Sequence, residues 1–100
     1  MTRRVVVTGI GTVNPLGNSV SDSWSSIREG KSGLGPITKF DTTEFQTKIA
    51  GEVKEFDPKN YMDKREARKM DSFSQYCVAG SVEAKQDAGL TGEELDRLAE

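Results

Sequence analysis

No histidine occurs in these 100 residues. Its absence removes the Ser-His and Cys-His pairs by which most hydroxyl and thiol nucleophiles are activated. There is one cysteine, Cys77, so no internal disulfide framework can form. No run approaches the ~18 apolar residues of a membrane span. The opening Met1-Thr2-Arg3-Arg4-Val5-Val6-Val7 starts like a secretory leader, but Thr8, Gly9, Gly11 and Asn14 interrupt the apolar stretch at once. A soluble, cytoplasmic protein is expected. An excess of either charge is also lacking: 14 basic against 16 acidic residues leave a net charge of −2, which argues against a general nucleic-acid binder. The carboxylates are scattered, in capping or surface positions, so no metal site is expected.

Apolar residues make up 34% of the chain, and its 10 glycines bring it near the usual globular range of about 45–50%. The core should be modest. Val5-Val6-Val7-Thr8 is a β-branched run without alternation, which suits a strand covered on both faces of a layered α/β sheet. Gly9, Gly11, Asn14, Pro15 and Gly17 mark a long turn. Ser19 and Asp22 have capping-box-like spacing, and Val20, Trp24 and Ile27 share one helical face that stops at Gly30. Residues 31–40 are turn-rich. Ile49, Gly51 and Val53 alternate, predicting a strand within 46–53. Asp57-Pro58 opens a helical turn, and Asp63 with Glu66 opens a short helix through Lys69. The longest helix is predicted from about Asp71 to Ala88, with Gly89 beyond it and Met70, Phe73, Cys77, Ser81 and Ala84 on its buried face, extended by Gly80 and Ala88. These residues are mostly small and suit close approach of another element. Thr91 and Glu94 cap a last helix with Leu95 and Leu98 inward. It reaches Glu100 without a stop signal, which is expected of a truncated chain.

Three features carry chemistry to be weighed. Gly9-x-Gly11 begins a dinucleotide-binding fingerprint, but Asn14 stands at the third position and no acidic residue lies about 20 positions on. Glycines for a tight strand exit are the better reading. Cys77 falls in mid-helix, on the apolar face, away from the helix N-terminus that would favour a thiolate, so a buried, inert thiol is expected. The segment Lys64-Arg65-Glu66-Ala67-Arg68-Lys69 puts Lys64 and Arg68, and Arg65 and Lys69, at i,i+4. Like charges so placed repel by a few tenths of a kcal/mol per pair. A solvated face is the common outcome of such a run; an acidic protein, a phosphate group or nucleic acid are the partners it would otherwise fit.

Four stretches, in order, resemble the KAS I/II condensing enzymes. They are RRVVVTGIGTVNPLGNSV (Arg3–Val20), the W-x-x-I-x-x-G-x-S-G helix exit (Trp24–Gly33), the Phe40-Asp41-Thr42 turn followed by KIAGEV (Lys48–Val53), and ARKMDSFSQYCVAGSVEAKQDAGL (Ala67–Leu90). The chain is thus similar to the β-ketoacyl-[acyl-carrier-protein] synthases, closer to type II (KAS II) than to type III or the thiolases. The likeness covers nearly all 100 residues.

This resemblance implies an α/β, thiolase-like fold with α-β-α-β-α layers, of which residues 1–100 would be the opening part, one incomplete domain without an internal boundary. It implies a homodimer and the decarboxylative Claisen condensation of fatty-acid elongation. The substrates ride on the phosphopantetheine of acyl carrier protein (ACP), and no cofactor is expected. The family's cysteine and two histidines fall after Glu100 in its order, Cys77 does not match the nucleophile, and the chain alone is expected to be inactive. One element carries over: Arg65, Arg68 and Lys69 match the family's basic ACP-docking positions, and Lys64 adds charge beside them. Two alternatives stand beside the enzyme: a non-catalytic subunit of the chain-length-factor type, and an ACP-binding module. As a module, the chain would leave its small-residue helix faces open and be prone to aggregate.

Overall fold

In the computed structural model, residues 2–90 and residue 92 are described. Helix α1 spans Val20–Arg28, strands β1 and β2 are Leu34–Pro36 and Ile49–Gly51, a 3₁₀ turn covers Pro58–Asn60, and helices α2 and α3 are Lys64–Ala67 and Ser72–Asp87. The last helix expected from Thr91 lies outside the described residues.

Helix α1 begins, and both longer helices end, where the capping residues say. Ser19 Oγ accepts from the Asp22 amide at 3.1 Å, satisfying one free N–H of the first turn of α1. After the C-cap Glu29, Gly30 turns left-handed at φ 73°. Its N–H then reaches the Ile27 carbonyl (3.1 Å) and that of Lys31 reaches the Ser26 carbonyl (3.0 Å). This is the Schellman closure, and it repeats at α3, where Gly89 (φ 74°) bonds Gln86 and Leu90 bonds Lys85. Asn14-Pro15-Leu16-Gly17 closes as a tight turn with paired bonds between Asn14 and Gly17 at 3.0 and 3.1 Å. Leu16 keeps a negative φ, which makes the turn type I, with proline at its preferred second position.

The stretch 9–12 lies directly on α3. A Cβ at Gly9 would overlap the Ala84 carbonyl oxygen, and one at Gly11 would overlap that of Gly80. The glycines are there for close packing on the helix, rather than for a tight strand exit. The small residues of α3 serve the same contact from the other side. Two carboxylates of α3 complete it. Asp87 accepts from the Ile10 amide at 3.1 Å. Glu83 accepts from Thr12 through one oxygen and from Val20, the first residue of α1, through the other, both at 2.9 Å. One side chain thereby satisfies donors of two segments that have no partner of their own.

Several expectations are corrected. Val5–Thr8 forms no strand; Val5 and Val7 are 88% and 81% exposed, because a strand needs a paired neighbour and no described segment supplies one. Trp24 and Ile27 are also exposed, since α1 turns Ser23 and Ser26 inward instead, against the Asn14–Gly17 turn. The turn-rich stretch 31–40 contains β1, which pairs antiparallel with β2 in the register Leu34–Gly51, Gly35–Ala50, Pro36–Ile49. Proline is tolerated in β1 because the two-stranded sheet leaves it on an edge. The strand expected within 46–53 is shorter than predicted, and its half-buried residue is Ala50, with Ile49 on the open side. On α3 the fully buried residue is Ala79, while Phe73, Cys77 and Ser81 are exposed. The packed side is the one facing Gly9–Thr12; it keeps Gly80, Ala84 and Ala88 of the expected face and leaves out Phe73, Cys77 and Ser81. Cys77 is therefore accessible, not buried.

The described core is thin. Among the described residues only Ala67 and Ala79 are buried apolar ones, against a long series of exposed large ones, while the small-residue face of α3, expected to lie open, is covered by residues 9–12. The hairpin between the strands is held by local polar bonds. Thr38 donates its N–H and its hydroxyl to the Glu52 carboxylate, the latter at 2.8 Å. Asp41 accepts from the hydroxyl and N–H of Thr43, and Lys48 Nζ reaches the Thr42 and Thr43 carbonyls. The Thr38 hydroxyl, aided by its N–H, holds the Glu52 carboxyl below its ordinary 4.5. Thr43 does the same for Asp41, below 3.8.

Candidate docking surface

The basic segment sits between the 3₁₀ turn and α3. Asp57 Oδ1 accepts from the Lys59 amide at 3.0 Å, with Pro58 in the first helical position, so this turn starts as its sequence predicts. Phe56 then anchors the segment: its ring stacks on Tyr61 at 5.5 Å and meets Tyr76 of α3 edge-on at 4.9 Å. Such pairs contribute about 0.5–1.5 kcal/mol beyond the area they bury. Glu55, one residue before, takes a left-handed φ of 55°, uncommon for a side chain, where the chain bends out of the hairpin toward this cluster. Lys39 Nζ lies 5.8 Å from the centre of the Tyr76 ring, within cation–π range.

Helix α2 is a single turn. It ends at Ala67 rather than at Lys69, and the Asp63 side chain makes no capping bond. Its short length follows from its charges and the missing cap. Lys64 and Arg65 lie in the helix and Arg68 is its C-cap residue. The Arg68 amide still bonds the Lys64 carbonyl (3.2 Å), so this i,i+4 pair keeps its helical stacking. The Lys69 amide bonds Glu66, three residues back, so the second pair, Arg65 and Lys69, is turned out of helical register. All four cations are exposed, and among the described residues the one ion pair lies elsewhere, between Lys31 and Glu29. The segment is therefore an exposed surface of net positive charge on a tethered turn, with Glu66 as the one carboxylate among its four cations.

Ala67, buried at 7% exposure, is the side chain that seats this turn. Gln75 of α3 holds it from the other side: Nε2 donates to the Ala67 carbonyl at 2.9 Å. Neither Gln75 nor the bridging Glu83 stands out in the sequence. The one signal is an uncharged amide and a carboxylate on a helix otherwise packed by small residues.

Nothing here forms a catalytic set. Cys77 lies in the middle of α3, lining an open cleft with Gly11, Phe73, Tyr76 and Gly80, and its carbonyl accepts from the Ser81 hydroxyl at 2.8 Å. Among the described residues, none of those lining the cleft is a base that could take its proton. No group of three or more histidine, cysteine or carboxylate residues is placed to hold a metal ion among the described residues. No helix there is long and apolar enough to cross a membrane.

Residues 2–99 match the family model of the β-ketoacyl synthase N-terminal domain. The chain belongs to the β-ketoacyl synthase family. It is 52% identical over 88 residues to 3-oxoacyl-[acyl-carrier-protein] synthase 2 of Vibrio harveyi, and 44% identical over 94 residues to the protein of that name from Synechocystis. These alignments take in 88% and 94% of this chain but only 21% and 23% of the relatives, so the chain spans about a fifth of the length of these synthases. Among solved structures, the ishigamide ketosynthase/chain length factor superposes with a TM-score of 0.85 at 38% identity, over 94% of this chain and 23% of that one. The fold is that of a ketosynthase.

Proposed function

We propose that this β-ketoacyl synthase segment serves a 3-oxoacyl-[acyl-carrier-protein] synthase of fatty-acid elongation and supplies its carrier-protein docking surface. The observation that carries the reading is the tethered turn with Lys64, Arg65, Arg68 and Lys69 exposed, in a chain that resembles synthases named for an acyl-carrier-protein substrate. ACP is acidic, and a positive surface speeds encounter and sets orientation more than it adds affinity. In the whole protein an acyl group passes from ACP to a cysteine thiolate. Malonyl-ACP then loses CO₂, and the resulting carbanion attacks the acyl thioester and expels the thiolate. The cysteine and the two histidines that support decarboxylation and the oxyanion are residues other than these 100. Residues 1–100 are one part of a single domain with thiolase-like α-β-α-β-α layering, in a cytoplasmic homodimer. The phosphopantetheine of ACP is the only carrier group, and no further cofactor takes part.

Charge reversal tests the docking role. In the full-length synthase, Arg68→Glu with Lys69→Glu should raise KM for acyl-ACP about tenfold or more, as expected when several close charge pairs are lost. Acyl-pantetheine, which lacks the acidic protein, should suffer much less. The difference should shrink as salt rises, because exposed charges are screened within about 8–10 Å. An equal loss on both substrates would remove the docking role. A full-length sequence without a cysteine and two histidines would instead favour a non-catalytic subunit.

A further inference from the structure

We propose that Gln75 is a positioning residue for this docking surface: its side-chain amide fixes, from α3, the turn that carries Arg68 and Lys69. The inference rests on the carrier-protein reading above and deepens it. Helix α2 has four residues, far below the roughly 12–15 that an isolated helix needs to persist in water. Its cations repel one another, and its N-cap side chain makes no bond. Unsupported, the segment would sample many conformations, and ordering it on docking would oppose binding.

Gln75 Nε2 supplies the support. It lies 2.9 Å from the Ala67 carbonyl and 3.5 Å from that of Met70. The first is a full hydrogen bond and the second is at the limit of one. Arg68 and Lys69 are the two residues between these carbonyls, so a single amide brackets the cationic pair. Its base is rigid, because Gln75 is in the first turns of the 16-residue α3 and its own N–H bonds the Asp71 carbonyl at 3.1 Å. The bond is part-buried beside Ala67, which keeps water from replacing it cheaply.

The experiment uses full-length synthase carrying Gln75→Met, which keeps length and neutrality but removes the donor. Gln75→Ala is the second variant, should methionine pack badly. Each is made alone and on the Arg68→Glu/Lys69→Glu background, and KM and kcat are measured with acyl-ACP and acyl-pantetheine. Loss of this bond should raise KM for acyl-ACP about three- to tenfold, with kcat little changed. On the charge-reversed background the same change should have almost no further effect, because the charges it positions are gone. If both Gln75 variants leave KM unchanged while charge reversal raises it, the inference is overturned and the docking reading survives. An equal rise on both backgrounds, or on both substrates, also overturns it, because Gln75 would then be a purely structural residue. If charge reversal itself has no effect, the docking reading fails and the inference with it.

Discussion

Glu83 and Glu52 both accept hydrogen bonds from backbone amides, yet they join very different stretches of chain. Glu83 reaches donors 71 and 63 residues away, on the Gly9–Thr12 ribbon and at the start of α1, in a part-buried setting. Glu52 reaches Thr38, 14 residues away across an exposed hairpin. Around Glu83, packing and polar bonds depend on each other: glycines bring the ribbon against α3, and the carboxylate satisfies the amides that this approach removes from water. Around Glu52 the bonds are local and exposed, and a two-stranded sheet adds little of its own. The ribbon should thus be intolerant of small changes in shape, and the hairpin sensitive mainly to solution conditions.

Glycine substitution separates the two regions most sharply. Gly11→Ala places a methyl group onto the Gly80 carbonyl and 2.8 Å from the Ala84 nitrogen, both of them backbone atoms that cannot swing aside. The expected cost is about 3 kcal/mol, the upper part of the range for overpacking. Gly35→Ala, in β1 of the hairpin, meets nothing within 4 Å and its backbone is not left-handed. It should be neutral, or stabilise by about 0.4–1 kcal/mol through the unfolded state. Urea unfolding of the two full-length variants measures this directly. Similar stabilities would mean that the ribbon does not rest on α3 as closely as described.

Removing the carboxylate tests the other half of the contrast. Glu83→Ala leaves the Thr12 and Val20 amides without an acceptor, at an expected cost of about 2 kcal/mol, since each abandoned part-buried donor costs about 1 kcal/mol or more. Amide hydrogen exchange should speed up at both positions together, although they lie on separate segments. Acceleration at only one of them would show that Glu83 does not join the two.

What the sequence makes legible follows the same division. Ser19, Gly30, Gly89 and Asp57-Pro58 act through their nearest neighbours, and the elements they bound appear where those residues place them. Strand β1 escapes notice because Gly35 and Pro36 are turn residues by composition, and only the partner Ile49–Gly51 makes them a strand. Val5–Thr8 shows the converse, a strand-like run with no described partner. The inner face of α3 is legible in part: Gly80, Ala84 and Ala88 fall on the expected face and meet Gly9 and Gly11, whereas Phe73, Cys77 and Ser81, which helical periodicity adds to it, are exposed. Of the docking surface, the four cations are evident as a charge run, but the tether through Gln75 is not, because a hydrogen bond to the Ala67 carbonyl leaves no mark on composition.

The hairpin's sensitivity is to pH, and the effect is the smallest of the three. The bonds from Thr38 hold the Glu52 carboxyl below its ordinary 4.5, and those from Thr43 hold Asp41 below 3.8. The opened hairpin therefore takes up protons more readily than the closed one. The stabilisation is fully present above those ordinary values and is lost as pH falls through the lowered ones. Thr38 amide exchange, corrected for its intrinsic pH dependence, should show protection fading as pH falls below the ordinary 4.5 of a glutamate while that of Ala79 in α3 holds. Thr38→Val removes the hydroxyl, the largest of the causes acting on Glu52, and should move the fading toward higher pH. If protection at Thr38 were flat with pH, the carboxylate would not be what closes the hairpin, and the pairing of β1 with β2 alone would have to account for it.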